Sequence, residues 1–485
     1  MSKLYNTAQV KTGYTANGAV TNLSSLNPCV DLFFLAGASR GKDISTTFHK
    51  ALDEDPEITG RMLLWLRDVL QGAGEREQFR KLFKELIYKD IKLSERVLRK
   101  IPVAGIGRWD DVLEAFGTPL QDVAVEMCIT ALNNKDALCA KWMPRRKKGK
   151  ANTEFTVLVK TFTEGNLPYK QKEAKFRKYV SELSNTIEQQ MCTKEWSKIN
   201  YNHVPSKASQ VYRKAFLRND EARYRDYLDS LVKGSPDVKV NAKATFPHDI
   251  LNMAFSGRGR SGYNIANKES VALAEAQWNA LPDFVQGSEE KIMPLVDVSG
   301  SMNGTPMEVA VSLGVYFAQR NKGEFAGEVM TFTSTPSFVK VPQGLVAGAK
   351  AVFAAPWGMS TDIQVAFELI LQTAIKGGLS QKDLPTKLLV LSDMEFNSSY
   401  VKGTSTTAFK AAKNRFELHD YKLPEIIFWN LRGRVGNNPV TIHDTGTALV
   451  SGFSPSILTA VLKGADDLTP VNVMLAKLMD ERYDF

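Results

Sequence analysis

The sequence predicts a mainly α-helical region followed by an α/β domain with a mainly parallel sheet, on three observations. Apolar residues recur three or four apart from about Asp31 onward; at Ile292 that period gives way to short apolar runs alternating with helical segments; and a polar motif, Asp297-Val298-Ser299-Gly300-Ser301, stands where the first run ends. At 485 residues the chain has room for two or three packed units. We divide it into an N-terminal arm (1–30), a helical region (31–290) and an α/β domain carrying C-terminal helices (291–485).

The first thirty residues interleave Asn, Thr, Gly and Ser, and read as a loosely ordered arm or an edge extension. Helical periodicity follows over 57–69, 76–91, 94–100, 109–116 and 120–133. In the second of these Phe79, Leu82, Phe83, Leu86 and Ile87 form one stripe, while Arg80, Lys81, Lys84 and Glu85 face away. Gly72-Ala73-Gly74, Pro102 and Gly117-Thr118-Pro119 supply short breaks, the pattern of an α-solenoid or a related curved stack. After an acid-free basic stretch, 141–150, helical patterning resumes over 172–191, 206–233, 247–255 and 269–281, with 201–205 as a joint and 257–262 as a flexible loop.

Beyond residue 291 the strand candidates are 292–296, 328–332, 337–341, 387–391, 425–430 and 448–451. Helical segments at 306–319, 362–375 and 406–416 separate them, and two more at 456–463 and 471–479 follow the last. This alternation is that of a parallel sheet covered on both faces, which takes its ligands beyond the carboxyl ends of its strands. The polar motif falls there.

Composition excludes several classes. With 43% hydrophobic and 24% charged residues the chain is neither fibrous nor disordered. No apolar run is long enough to span a bilayer and no secretory leader pattern opens the sequence, so a cytoplasmic protein with no membrane partner is expected. Cys29, Cys128, Cys139 and Cys192 suit neither a metal knuckle nor a disulfide framework and are expected as buried thiols. The five histidines lack zinc-enzyme spacing. The net charge of +9 belongs entirely to the first 290 residues, because residues 291–485 carry 18 basic and 18 acidic side chains. A positive surface on the helical region would attract a polyanion such as nucleic acid.

The turn after the first strand can gather Asp297, Ser299 and Ser301, one carboxylate and two hydroxyls, around a hard cation; magnesium, or manganese, suits such oxygens. Gly358-Met359-Ser360-Thr361-Asp362 and Ser392-Asp393 stand at equivalent strand ends, so Thr361 and Asp393 can complete the set. The plainer alternative makes the serines helix caps and Asp297 a strand terminus. Catalysis is not expected: a haloacid-dehalogenase-like site would need a second aspartate where Ser299 stands, and no GxxxxGK[ST] phosphate loop is present. A metal can still lower the pKa of water, which keeps a metal-dependent nuclease or phosphatase as an alternative.

For nucleic acid, Arg145, Arg146, Lys147 and Lys148 can neutralise phosphates, Lys141 and Lys150 extend the patch, and Trp142 offers a base platform. Arg213 and Lys214, with Arg218, could form a second contact. The competing reading is a solvated loop and an ordinary charged helix, with Trp142 in the core.

DVSGSM at 297–302, GMSTD at 358–362 and LSD at 391–393 resemble the von Willebrand factor type A domain with its metal-ion-dependent adhesion site, over residues 291–460. That resemblance implies direct coordination by Ser299 and Ser301, direct or water-mediated coordination by Thr361, and action through waters by Asp297 and Asp393. It also implies an open position for an acidic side chain of a protein partner. The helical half resembles the TROVE-type modules of Ro ribonucleoproteins, and more closely a group of uncharacterised plant, viral and phage proteins with the same domain order. The resemblance lies in LLWLRD at 63–68, GAGER at 72–76, GRWDD at 107–111, WSKINY at 196–201 and VPSKA at 204–208, and with the adhesion-site domain it spans 30–465. It implies a HEAT-like helical ring or solenoid binding single-stranded or structured RNA, and carries over Arg67, Arg76 and Lys207. The expected function is a noncatalytic RNA-binding scaffold, in RNA quality control or ribonucleoprotein assembly; the alternative is a metal-dependent protein-interaction scaffold.

Overall fold

The computed structural model describes residues 10–146, 152–163, 165–259, 262–322, 324–332, 336–356, 362–397, 407–463 and 468–485. Lys147, Lys148, Lys150 and Thr361 lie outside these. The strands are β1 (Thr12–Tyr14), β2 (Val20–Asn22), β3 (Phe255–Gly259), β4 (Gly262–Ile265), β5 (Ile292–Asp297), β6 (Glu328–Phe332), β7 (Ser337–Lys340), β8 (Lys387–Ser392), β9 (Glu425–Asn430) and β10 (Thr447–Ser451); helices fill most of the remainder.

The six-stranded sheet runs β10-β9-β8-β5-β6-β7, with every neighbouring pair parallel except β6 and β7. All residues of β5 and β8 are buried, which a parallel sheet covered on both faces demands. The Thr305–Arg320 helix lies directly on β5: a Cβ at Gly314 would come within 2.5 Å of Val296 Cγ2, so only glycine permits this approach. From β5 the chain goes to β6 on one side and returns through β8 on the other. Strand order therefore reverses at β5, where open α/β sheets form a crevice.

Both ends of the helical region are fastened to this sheet. At its start, the Pro28–Ala36 helix covers the edge strand β10: Ser451 Oγ donates to Phe33 O at 2.5 Å, Gly37 N donates to Ser451 Oγ at 3.0 Å, and Asn430 Nδ2 donates to Phe34 O at 3.0 Å. At its finish, Trp278 Nε1 donates to Gln319 Oε1 at 2.8 Å. The Glu275 carboxylate accepts from Leu345 N and Val346 N, each at 2.9 Å, and so caps the Leu345–Phe353 helix from another element. A further clasp joins residues far apart in sequence. Asp68, fully buried, accepts from Arg482 Nε at 2.5 Å, from the second Arg482 nitrogen at 2.9 Å and from Tyr483 OH at 3.1 Å.

Several elements differ from expectation. Residues 10–22 form a hairpin, β1–β2, in place of a loose arm, because Thr15 Oγ1 donates to Phe396 O at 2.5 Å and Asn22 N to Asn438 O at 2.9 Å. Within the expected flexible loop 257–262, residues 257–259 end β3 and Gly262 opens its antiparallel partner β4; 260 and 261 lie outside the described residues. The expected helix 172–191 is two, Tyr169–Ser184 and Ile187–Cys192, broken where Asn185 takes φ +29°. Helix 206–233 likewise divides at Asp220, which accepts from Tyr201 OH at 2.7 Å. Cys192 is exposed at the end of its short helix, correcting the expectation of four buried thiols, and all four are free. Among the described residues no helix is long and apolar enough to cross a membrane.

Arg482→Ala leaves the Asp68 carboxylate buried without its cation and is expected to lower the unfolding free energy by about 3–5 kcal/mol in urea titrations. Arg99→Ala, which removes only the exposed pairs with Glu95 and Glu126, is expected to cost less than about 1 kcal/mol.

Candidate functional site

At the carboxyl end of β5, Asp297 Oδ1 accepts from Ser299 N at 2.9 Å, and Oδ2 accepts from Ser392 Oγ, at the end of β8, at 2.6 Å. Ser299 Oγ and Ser301 Oγ are 3.0 Å apart, and Ser301 and Asp393 face one cavity. The turn after β5 brings Asp297, Ser299 and Ser301 together, and the end of β8 carries Ser392 and Asp393 beside them. Asp362 caps the Ile363–Gly377 helix, accepting from Gln364 N and Val365 N at 3.1 and 3.3 Å; the neighbouring Thr361 is outside the described residues.

Burial raises both carboxyls above the usual carboxylate range, and for Asp297 the nearby Asp393 charge adds to the rise. Two carboxylates held together out of water favour either a proton or a cation between them. Oxygen donors alone, carboxylate and hydroxyl, match magnesium or manganese far better than zinc. The residues present therefore fit the hard cation that the motif implies. Among the described residues no group of three or more His, Cys, Asp or Glu is placed to hold a metal ion, at this turn or elsewhere, so the fit rests on two carboxylates and the serine hydroxyls.

A second constellation lies in the helical region. Arg67, Arg76 and Lys207, widely separated in sequence, line one cavity of about 660 Å³ together with Arg40, Arg108 and Phe246. The side chains of Arg76 and Lys207 are 44% and 60% exposed. Arg67 differs: it is buried, and its guanidinium donates to Asp111 at 2.7 Å, so it braces the wall from behind. Arg108 stacks over the Trp142 ring at 4.0 Å from its centroid and links that indole to the cavity wall. Each of these cations has an acidic neighbour: Lys207 pairs with Asp249 at 2.7 Å, Arg40 with Glu75 at 2.6 Å, Arg108 with Asp110 at 2.7 Å and Arg76, more loosely, with Glu77 at 3.9 Å. Burial pushes Glu75 up to about 7.

The other RNA candidates are less concentrated. Lys141 reaches Glu188 at 3.4 Å and Arg146 reaches Glu173 at 3.1 Å, while Arg145 donates to Ala140 O at 3.5 Å. Arg213 turns inward, donating to Ser270 Oγ at 3.0 Å and Gln210 O at 2.6 Å, whereas its neighbour Lys214 is exposed. The structure therefore separates these two side chains. Arg40 and Arg108 were missed from sequence because neither lies in a basic run; only the folded positions of 40, 76, 108 and 207 make them one group.

A mainly helical region closed onto a mostly parallel α/β unit is thus the class of architecture. Comparison with known proteins adds two families: residues 291–481 match DUF7788 and residues 15–89 and 168–289 match DUF2828, each described as a domain of unknown function. The chain is also similar to the Uncharacterized protein L728 of Acanthamoeba polyphaga mimivirus, 28% identical over 513 residues that cover 95% of this chain and 86% of the relative.

His248, on the cavity lining, is buried between Phe246 and Phe453, with Nδ1 lacking a hydrogen-bond partner. Burial lowers its pKa to about 4 from 6.5. The unfolded chain binds this proton more readily, so between pH 6.5 and 4 stability is lost as pH falls. From pH 7 to 4 the wild type is expected to lose about 3 kcal/mol more unfolding free energy than His248→Gln, read from urea titrations at each pH.

Proposed function

We propose that this protein is a noncatalytic RNA-binding scaffold: a HEAT-like helical region of the TROVE type, closed through a von Willebrand A-type unit that carries a divalent-metal adhesion site. The observation that carries this reading is the convergence of Arg40, Arg76, Arg108 and Lys207 on one cavity with Phe246 in its wall. Exposed guanidinium and ammonium groups attract phosphates, and an aromatic wall with the Arg108–Trp142 stack nearby suits unpaired bases, so single-stranded RNA is the favoured ligand. The anchoring of both ends of the helical region supports a closed scaffold, whose fixed rim would select strands by access rather than by base edges. Quality control of RNA or ribonucleoprotein assembly is the role such selection suits.

Labelled single-stranded RNA, duplex RNA and matched DNA should be titrated at 50 and 200 mM salt, with anisotropy as the readout. Single-stranded RNA is expected to bind best. Arg76→Gln with Lys207→Gln is expected to weaken it about tenfold and to flatten the logarithmic salt slope by about 1.4, two single-strand phosphate contacts. Failure of any RNA to bind, or an unchanged slope in the double variant, refutes the reading.

The second component is the metal. Ser299 and Ser301 would hold it directly, with Asp297, Asp393 and Thr361 completing the set through waters or directly; bound there, it would supply a positive centre able to receive an anionic group. The buried pair Asp297 and Asp393 favours this over a purely structural turn. Magnesium at about 100 times its dissociation constant is expected to stabilise the wild type by about 2.7 kcal/mol and to leave Ser299→Ala with Ser301→Ala unchanged, in melts with and without chelator. A metal response retained by the double variant overturns the assignment.

A further inference from the structure

Ser301 and Asp393 open onto a separate cavity of about 380 Å³, whose walls bring Lys42, Arg432 and Arg434 together with Glu395. These cations come from distant segments: Lys42 follows the Pro28–Ala36 helix, and the two arginines follow β9. Lys42 donates to Gly433 O and Arg432 donates to Ser301 O at 2.7 Å. Both are thereby held by backbone carbonyls, with Asp393 and Glu395 the acidic side chains that face them. Arg434 pairs with Glu395 at 2.8 Å. Glu395 is itself fixed, accepting from Ala16 N of the β1–β2 turn at 2.6 Å and from Asn437 Nδ2 at 3.3 Å. Burial lowers the pKa of Lys42 and the two neighbouring arginines lower it further, while Asp393 and Glu395 oppose the shift.

An adhesion site awaiting an acidic side chain has no need of three cations around its mouth. We infer that this cavity is a subsite for a phosphate monoester, whose oxygens meet the divalent metal on one side and Lys42 and Arg432 on the other. The inference rests on the metal reading above. With the metal bound, three basic side chains and a divalent ion face Asp297, Asp393 and Glu395, leaving a surplus of two positive charges. A phosphate monoester, close to a dianion at neutral pH, cancels that surplus; a side-chain carboxylate cancels half. Guanidinium forks also match phosphate oxygens in pairs.

The test is calorimetric titration of the full chain. Magnesium is titrated first without phosphate; inorganic phosphate and acetate are then titrated with magnesium present. Phosphate is expected to bind at least tenfold more tightly than acetate, and Arg432→Ala or Lys42→Ala to weaken phosphate about tenfold. Magnesium affinity in Lys42→Ala should not fall, because that variant removes a neighbouring positive charge and leaves the Arg432 bond to the Ser301 turn in place, and its retention shows that the site is folded. Equal affinity for acetate, or phosphate affinity unaffected by both substitutions, overturns the inference. Magnesium binding without phosphate binding overturns it while the metal reading stands; absence of magnesium binding overturns both. Single-stranded RNA with a 5′-phosphate is compared with its 5′-hydroxyl counterpart to separate the sources. A tenfold preference assigns the phosphate to a strand end, and tight inorganic phosphate without that preference assigns it to a small molecule.

Discussion

β5 and β8 run side by side because neither strand has a face that tolerates water, and burial of every residue in both leaves parallel pairing between covering helices as their satisfactory environment. Their carboxyl ends then finish together. Asp297 meets Ser392, and Asp393 is carried beside Ser301, so two carboxylates share a place that neither strand would create alone. The helical region depends on the same sheet. Its first helix shields β10, and its last leans on the helix that packs behind β5, so the two ends are spaced by the sheet's width rather than by contacts of their own.

The strands of the α/β unit were legible because continuous apolar runs bounded by polar turns leave little else to be. Helix interruptions were legible where Gly or Pro made them and between 91 and 94. Asp220 divides one expected helix while accepting from Tyr201 OH, and Asn185 breaks another through its backbone angle; neither residue announces itself amid charged helical sequence. The Leu345–Phe353 helix was missed altogether. Its small apolar residues lack a polar face, and its cap is Glu275, far upstream.

The candidate site divides along the same line. Asp297, Ser299 and Ser301 lie within one turn, so their spacing alone brought them together. Lys42, Arg432 and Ser392 act through chain segments that meet only after folding. The basic excess of the first 290 residues indicated the charged region but not which charges remain available. Arg67 and Arg213 look alike in sequence to Arg76, yet the first is buried against Asp111 and the second, half-buried, bonds Ser270.

The clasp on Asp68 has a consequence for the order in which this molecule can mature. The carboxylate and its guanidinium are separated by 414 residues, so at ribosomal speeds of about 5–20 residues per second roughly 20–80 s pass between their syntheses. Throughout that interval the first helices carry an acidic group shaped for burial, with no partner yet made. The clasp can therefore form only as a late event, one that couples the two ends of the chain in time as well as in space.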